Sequence, residues 1–527
     1  DYRFLFCFPL QILPATINQL ALPEGEGYEI RFTETRTVSI IVTPAQVMAV
    51  EKMDLEDNTV TNMLQKEPLS PSQPEGKKFN QYMAAVIAAL GAVSIGTALA
   101  WTSPVESMIK DNATTILPEP VNNGQASLIG SLINIGAIFG ALPAGFFADK
   151  FGRKTVILAL CIPFILGWVL ILFAQSVLWL FIARFIQGVA TGVISAIVPM
   201  FIGEIAESSI RGTLGSFFQM FLVIGILILY CLGMTSYNII AIGSLICPVL
   251  LFVLLFFVPE TPIYLMKSGE HKKAESSLRF YRGSRYNVAM ELDAIQKEID
   301  AASRRKASFS DLFTSRANKR ALVISLGLMV FQQFSGINAV IFYSKGIFEG
   351  AGSTLDPTLC AIIVGVVQVL ATGTSVVLVD KLGRRILLLI SDFVMTISLG
   401  VLGLYFYLKE TLKEDVSNIS TLPLLSVVAF IVMFSLGFGP IPWMMVGELF
   451  SPDVKGNATG IAVGLNWSSA FIVTLSFSFL IKAFGSAATF WIFSGICLIG
   501  TMFTFALVPE TKGKSLPQIQ RELAGNK

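Results

Sequence analysis

Two stretches of the sequence decide the fold, because one repeats the other. Gly145-Phe-Phe-Ala-Asp149-Lys-Phe-Gly-Arg153-Lys154 follows one apolar stretch of the chain, and Val379-Asp380-Lys-Leu-Gly-Arg384-Arg385 follows another. Each places an acid and a cluster of basic residues around a glycine. One such motif could be no more than a charged loop between helices, whereas two copies indicate a duplicated unit.

Two further motifs are duplicated in the same order along the chain. A glutamate precedes a basic residue and a glycine by seven positions in both copies, first as Glu204 with Arg211-Gly212 and then as Glu448 with Lys455-Gly456. Each copy then ends in the same four residues, Val258-Pro-Glu-Thr261 and Val508-Pro-Glu-Thr511. Three motifs in one order predict two copies of a six-helix unit.

The composition indicates a membrane protein. Of the 527 residues 54% are hydrophobic and 14% are charged, which is outside the range of soluble domains. About twelve apolar stretches are each close to the ~20 residues that a helix needs to cross a bilayer. They lie near 83–103, 125–148, 155–176, 178–200, 214–234, 239–258, 320–344, 358–379, 386–408, 423–447, 457–481 and 487–508.

Together these features predict an all-α membrane protein of two six-helix repeats with a helical segment between them. Five segments are expected: an N-terminal tail that is disordered or partly a reading-frame artefact, a six-helix bundle, a helical linker, a second bundle and a C-terminal tail. Their bounds are 1–80, 81–258, 259–319, 320–508 and 509–527. Residues 4–10 resemble the core of a signal peptide, which conflicts with a cytosolic N-terminus.

Basic residues predict the orientation in the membrane. Lys and Arg are concentrated in alternate connections and in the middle segment, so the positive-inside rule places that segment and both termini in the cytosol. Asn112-Ala-Thr and Asn418-Ile-Ser then fall in outer loops, where both asparagines are candidate glycosylation sites.

Several classes of function are disfavoured. His271 is the only histidine and has no nucleophile beside it, and the cysteines lack the paired spacing of a zinc or redox site. We therefore expect no enzymatic activity, no cofactor and no metal. The net charge of +2 argues against a nucleic-acid partner, and no obligate protein partner is evident.

The motifs resemble those of the sugar porters of the major facilitator superfamily from about residue 80 to 515. The most specific pieces are Gln332-Gln333-Phe-Ser-Gly-Ile-Asn338, Gly439-Pro-Ile-Pro-Trp443 and Pro509-Glu-Thr-Lys-Gly513. Within that family the sequence is similar to the facilitated glucose transporters of animals and closer still to the facilitated trehalose transporters of insects. The resemblance implies a plasma-membrane transporter of a small neutral sugar, trehalose or a hexose, by alternating access between the two halves.

A neutral sugar requires amides, which donate and accept hydrogen bonds, and an aromatic surface for its C–H groups. In the family such residues contact the sugar, and the matching positions here are Gln219, Gln332, Gln333, Asn338, Gln368, Trp443 and Asn466. The amides could instead simply bridge helices. Gln332, Gln333 and Asn338 would not share one face of a regular helix, so a kink is expected at Gly336. Ala470 stands where the glucose facilitators carry a second asparagine, which suits a larger or different sugar.

The resemblance also implies gating residues. In the family, charged groups at the cytosolic side lock that side while the sugar site faces outward, although such groups could also be static anchors of helix ends. The candidates are Asp149, Arg153, Arg184, Glu204, Arg211, Asp380, Arg384 and Glu448, with Tyr343 as a candidate outer gate together with Phe334 and Phe342.

Facilitated diffusion is favoured over proton coupling. The proton-coupled members of the family carry an acid in the first span, and residues 83–97 contain none. Asp392 in the ninth span is the exception that keeps the symporter alternative open. A non-transporting sugar sensor is a third alternative, although only a short tail follows the last span.

Overall fold

The computed structural model describes residues 76–284, 286–304, 312–352 and 354–525, with the backbone alone at 301–304, 380, 452 and 453, and three short strands before them. These strands, β1 (Asn18–Ala21), β2 (Tyr28–Arg31) and β3 (Ile40–Val42), form an antiparallel sheet in that order, and Asn18 pairs with Arg31. The signal-like segment 4–10 and most of the predicted tail lie outside the described residues.

The first half is helical throughout its described length. Six long helices are joined by turns and by three short helices, which follow the first, second and fourth long helices. The helices are α1 (Phe79–Ala100), α2 (Thr102–Lys110), α3 (Asn123–Ala141), α4 (Ala144–Phe151), α5 (Arg153–Leu172), α6 (Val177–Ile205), α7 (Arg211–Gly215), α8 (Phe217–Leu232) and α9 (Tyr237–Leu255).

A helical segment connects the halves. It contains α10 (Pro262–Lys267), α11 (His271–Arg282) and α12 (Val288–Arg304), and α11 and α12 each carry a polar face and an apolar face. The buried Arg282 donates to the carbonyl oxygen of Ile205 at 2.7 Å and forms an ion pair with Glu291 at 2.8 Å. This residue therefore ties the segment to the end of α6 in the first half.

The second half repeats the first, with more breaks in its helices. It contains α13 (Arg316–Phe334), α14 (Ile337–Ala351), α15 (Pro357–Leu382), α16 (Arg384–Phe406), α17 (Leu422–Met433), α18 (Ile441–Leu449) and α19 (Pro452–Leu507), followed by α20 (Leu516–Ala524). Two π-helical turns, Tyr407–Thr411 and Phe434–Phe438, extend α16 and join α17 to α18. The second of these turns interrupts the tenth span just before Gly439 and Pro440.

Eleven helical stretches are long and apolar enough to cross a membrane within the described residues. The last of them, Val454–Leu507, has 54 residues, which at ~1.5 Å per residue is more than twice a bilayer core of ~30 Å. Gly485 interrupts it with a φ of 81° and a ψ of 167°. It therefore forms the eleventh and twelfth spans, and the predicted twelve-span, two-repeat fold is confirmed.

Glycines bring the helices of the first half into close contact. A Cβ on Gly136 of α3 would lie 2.3 Å from the carbonyl oxygen of Phe185 in α6. A Cβ on Gly96 of α1 would lie 2.1 Å from the carbonyl oxygen of Leu222 in α8. Small residues of this kind are how transmembrane helices pack, because lipid supplies no hydrophobic drive between them.

Large apolar side chains remain exposed around the bundle. They belong to the spans of both halves, and examples are Phe139, Phe173, Ile246, Leu370, Phe393 and Phe505. So much exposed apolar surface is unfavourable in water, and here it provides the lipid-facing surface of a membrane protein.

Candidate functional site

The duplicated motifs form the same structure twice, at one end of the bundle that is termed the motif end below. Gly152 has a φ of 90° and precedes α5, where the backbone N–H groups of Arg153 and Lys154 donate to the Glu260 carboxylate at 3.2 Å and 3.0 Å. A carboxylate at a helix N-terminus satisfies free N–H groups and interacts favourably with the helix dipole. Glu260 therefore joins the end of the sixth span to the start of the third.

The second half repeats this cap. Gly383 has a φ of 92°, and the backbone N–H groups of Arg384 and Arg385 donate to Glu510 at 3.0 Å and 3.1 Å. Burial alone would raise the pKa of the Glu510 carboxyl, but the N–H groups donated to it by residues 384, 385, 511 and 512 lower that pKa overall.

An arginine–glutamate pair lies behind each cap. Arg153 Nη2 is 2.9 Å from Glu204 Oε1, and Arg384 Nη2 is 3.1 Å from Glu448 Oε1. The second carboxylate oxygen of each glutamate accepts a hydrogen bond at 2.5 Å from the threonine of its Val-Pro-Glu-Thr ending, Thr261 or Thr511. The repeat seen in the sequence is thus a repeat of geometry, and each pair joins residues of the same half.

The other charged candidates are placed less uniformly. Asp149 is 3.3 Å from Arg153 Nη2 and exposed, and the side chain of Asp380 lies outside the described residues. Arg211 is exposed and donates to the carbonyl oxygen of Ala206 at 3.4 Å.

The assignment of Arg184 to this network is wrong. Arg184 and Glu204 belong to one helix, α6, and their twenty-residue separation corresponds to ~30 Å. The buried Arg184 guanidinium instead donates to the carbonyl oxygens of Ala98 and Ile129 at 2.6 Å and 3.2 Å. It also lies 5.3 Å from the ring centroid of Trp101.

Away from the motif end, hydrogen bonds join the two halves. The backbone N–H of Lys345 in α14 donates to Ser103 Oγ at 3.1 Å, and its Nζ donates to Ser107 Oγ at 2.9 Å. Tyr230 in α8 donates to the carbonyl oxygen of Ile341 at 2.9 Å. The halves are therefore closed against each other at the end opposite the motifs.

Tyr343 belongs to this closure. Its φ of −122° departs from helical geometry within α14, and its hydroxyl donates to the carbonyl oxygen of Thr474 at 3.1 Å. The ring stacks on Phe477 at 5.0 Å. A Cβ on Gly130 of α3 would lie 3.2 Å from the Tyr343 hydroxyl, so this side chain reaches the first half.

Four of the predicted amides form one hydrogen-bonded chain inside the second half. Asn338 donates to Gln333 at 2.6 Å, Gln333 to Asn466 at 2.9 Å, and Asn466 to Gln332 at 2.8 Å. Gln332 then donates to the carbonyl oxygens of Phe438 and Gly439, both at 2.8 Å. All four amides are buried.

The break at Gly336 makes this chain possible. Gly336 has a φ of 89° and a ψ of 11°, in the left-handed region, and separates α13 from α14. A Cβ here would also lie 2.9 Å from the ring of Phe493. The expected kink is therefore confirmed, and it lets Asn338 meet Gln333 across the turn.

The other three residues predicted to contact the sugar lie outside the amide chain. Gln368 is buried on α15, Gln219 is half-buried on α8, and Trp443 is 38% exposed on α18. In the part of the chain that the structure describes, no hydrogen bond joins these three residues to the four amides.

Two buried polar residues were missed by the sequence analysis. Trp467 follows Asn466, and its indole N–H has no partner among the described residues. Asn134 of α3 donates to Thr474 at 2.9 Å, and its Oδ1 has no described partner either. Asn134 could have been found from the sequence, because it is an amide within an apolar span. Trp467 could not, because a tryptophan next to an asparagine does not by itself indicate a binding residue.

The arrangement suits a neutral solute with several hydroxyl groups. Amides supply donors and acceptors without charge, and unpaired buried polar atoms cost ~1–3 kcal/mol each until a partner reaches them. Two six-helix halves that close at one end, around buried amides, define a membrane transporter of the two-repeat class.

The chain belongs to the sugar (and other) transporter family, whose sequence profile matches residues 84–523. It is therefore a transporter and not an enzyme. A facilitated trehalose transporter of Polypedilum vanderplanki is 42% identical over 450 residues, 85% of this chain and 88% of that protein. A facilitated trehalose transporter of Culex quinquefasciatus is 40% identical over 85% of this chain and 86% of its own length.

Solved structures agree with this assignment. The xylose transporter XylE of E. coli superposes with a TM-score of 0.70 in an inward open conformation, at 26% identity over 84% of this chain and 99% of XylE. Its partially occluded inward open conformation also gives a TM-score of 0.70, over 83% of this chain and 100% of XylE.

Proposed function

We propose that this chain is a uniporter that lets trehalose or a hexose equilibrate across the plasma membrane. The observation that carries the proposal is the amide chain, because it holds neutral donors and acceptors on three spans at one buried place. The facilitated trehalose transporters to which the chain is similar favour a disaccharide. Ala470, without an amide, leaves more room beside Asn466 than an asparagine would.

In this proposal the sugar binds to Gln332, Gln333, Asn338 and Asn466 and exchanges hydrogen bonds with them. The amides already satisfy one another, so each bond to the sugar replaces an existing one and costs little desolvation. The Trp467 indole N–H and Asn134 Oδ1, which have no partner among the described residues, would each gain one. Gln219, Gln368 and Trp443 would complete the site from other spans as the halves rock, with Gln219 contributed by the first half.

The orientation follows from the same proposal. The motif end is assigned to the cytosol, so the described arrangement, closed at the other end, faces inward. Both candidate glycosylation sites, Asn112 and Asn418, are exposed in connections away from the motifs. If that end is extracellular, glycosidase treatment should shift the mobility of the full chain in gels, and the double substitution Asn112→Gln and Asn418→Gln should abolish the shift.

The charge motifs are assigned a gating role. Arg153 with Glu204, and Arg384 with Glu448, are held inside their own halves in the inward-facing arrangement. Asp149 and Arg211 are exposed at the same end and are available to contact the other half when that end closes, and Asp380 is assigned the same role from its motif alone. Tyr343 is assigned to the outer gate, since it reaches α3 of the first half.

Proton coupling has less support. The acid-free stretch of α1, residues 83–97, leaves Asp392 as the buried carboxyl to consider. A Cβ on Gly500 would lie 2.4 Å from Asp392 Oδ2, so this carboxyl packs between the ninth and twelfth spans. It faces Cys497 and Thr501 and is no member of the amide chain.

Uptake of a panel of labelled sugars by the purified chain in proteoliposomes tests the proposal. Labelled trehalose or a labelled hexose should enter these vesicles faster than it enters liposomes without protein. An excess of the same unlabelled sugar should reduce this uptake. Binding of a sugar without any flux would contradict transport and favour a sensor.

A further inference from the structure

The two copies of the charge motif differ in what covers them. In the first half, Pro262-Ile-Tyr264 follows the Val-Pro-Glu-Thr ending, and the Arg153 guanidinium lies 5.7 Å from the ring centroid of Tyr264. A Cβ on Gly152 would lie 2.9 Å from that ring. The Tyr264 hydroxyl donates to the carbonyl oxygen of Lys150 at 3.2 Å, which fixes the ring over the motif.

In the second half this cover is replaced by a basic turn. Lys512-Gly-Lys514 occupies the positions of Pro262, Ile263 and Tyr264, and Gly513 has a φ of 72°, which favours glycine. The exposed fraction of the arginine side chain rises from 3% at Arg153 to 13% at Arg384. That of its glutamate partner rises from 11% at Glu204 to 27% at Glu448.

A cavity of about 310 Å³ lies where the first copy has its tyrosine. It is bounded by the turn, by the start of α20 and by Gly447 of α18. Its charged lining consists of three cations, Arg384, Lys512 and Lys514, and one anion, Glu448. Lys455 adds a fourth cation at the rim, 3.6 Å from the position of a Cβ on Gly447.

We propose that this cavity is a binding site for a phosphate group, carried either by a soluble phosphate compound or by a lipid headgroup. Three cationic side chains around one opening match the charge of a phosphate, and an arginine with two lysines supplies donors from several directions. The inference goes beyond sugar transport and needs no knowledge of which sugar is carried.

The lysines are placed to exchange partners when the phosphate binds. Lys514 forms an ion pair with Glu522 of α20 at 2.8 Å, and its side chain is 32% exposed, so solvent weakens this pair. Lys512 Nζ donates to the carbonyl oxygen of Lys381 at 2.5 Å and retains further N–H donors. Arg384 keeps its bonds to Glu448 and contributes its exposed edge. Binding therefore ties the turn to Arg384 at the start of α16 and releases Glu522 of α20 from Lys514.

Thermal unfolding of the full chain tests the site. In detergent, the melting temperature should rise with inorganic phosphate and reach a plateau, in excess of the rise with sodium chloride at equal ionic strength. In a second arm, the chain is placed in phosphatidylcholine nanodiscs with or without phosphatidylinositol 4-phosphate. Stabilisation in the first arm assigns the site to soluble phosphate, and stabilisation in the second arm alone assigns it to a headgroup.

Two variants make the result specific. The double substitution Lys512→Gln and Lys514→Gln should weaken the apparent affinity about tenfold or more, because it removes two of the charge-assisted bonds to the phosphate. Lys514→Tyr should abolish binding by a different route, because it fills the cavity as Tyr264 fills the first copy. Lys272→Gln with Lys273→Gln, on the exposed face of α11, is the matched control.

Stabilisation by neither probe, or equal stabilisation of the wild type and both cavity variants, would overturn the proposal. These measurements require no sugar, so a negative result would leave the proposed transport function untouched.

Discussion

Asn466 on the eleventh span donates its side-chain N–H to the side-chain oxygen of Gln332 on the seventh span, at 2.8 Å. Both side chains are buried, and the two spans are over a hundred residues apart in the sequence. This bond is the central link of the amide chain on which the proposed sugar site rests.

Gln333 is the amide whose loss should weaken sugar binding most. It accepts from Asn338 and donates to Asn466, so Gln333→Leu breaks two links and leaves the buried N–H of Asn338 and the buried side-chain oxygen of Asn466 without these partners. We expect KM for the transported sugar to rise about tenfold or more, at ~1.4 kcal/mol per tenfold. Uptake kinetics in proteoliposomes measure it. Gln296→Leu on the linker helix α12 is the control. An unchanged KM in the Gln333 variant would show that the amide chain does not bind the sugar.

Arg384 should affect turnover more than affinity. Arg384→Ala leaves Glu448 without its arginine but does not touch the amide chain. We expect the maximal uptake rate to fall several-fold while sugar affinity stays within about twofold, and the same for Arg153→Ala. Arg279→Ala, which removes an exposed pair with Glu275, should change neither quantity. A raised half-saturation at full turnover would count against gating.

Lys345 should hold the halves together at the end opposite the motifs. Its side chain bonds to Ser107 across the boundary between the halves, so Lys345→Ala should shift the population toward the arrangement that is open at that end. Distances between spin labels on the two halves report the shift. Lys409→Ala is the control, because Lys409 Nζ bonds within the second half, to the carbonyl oxygen of Gly350. Identical distance distributions in the wild type and the Lys345 variant would contradict the assignment.

Glu510 should make stability depend on pH in the acid range. Its pKa is lower in the folded protein than the usual value of 4.5, so its stabilising effect is complete above that value and is lost as pH falls through the lowered pKa. We expect the melting temperature of the wild type to exceed that of Glu510→Gln at neutral pH, and the difference to shrink below pH 4.5. Glu275→Gln, on the exposed face of α11, serves as control, and a difference that is constant with pH would exclude this role.

The fold could be predicted from the sequence because its decisive features are local or repeated. The lengths of the apolar stretches predicted the spans, and the motifs around Arg153 and Arg384 predicted the repeat. The structure shows the same hydrogen bonds in both copies. The break at Gly336 was also predictable, since Gln332, Gln333 and Asn338 could not otherwise converge.

The parts that could not be predicted depend on tertiary packing. Arg184 is different, because the predicted span 178–200 already separates it from Glu204, and only its partners, the carbonyl oxygens of Ala98 and Ile129, depend on tertiary packing. The order of the amide chain depends on how α13 meets α19. The difference between the two motif copies depends on the packing of Tyr264 over Arg153.

Uptake into proteoliposomes with and without an inward proton gradient tests the central claim most directly. A uniporter built on neutral amides should bring the internal sugar to the external concentration and no further, at the same final level with or without the gradient. Accumulation above the external concentration that requires the gradient would contradict the account and would favour a proton-coupled symporter with Asp392 as its candidate carboxyl.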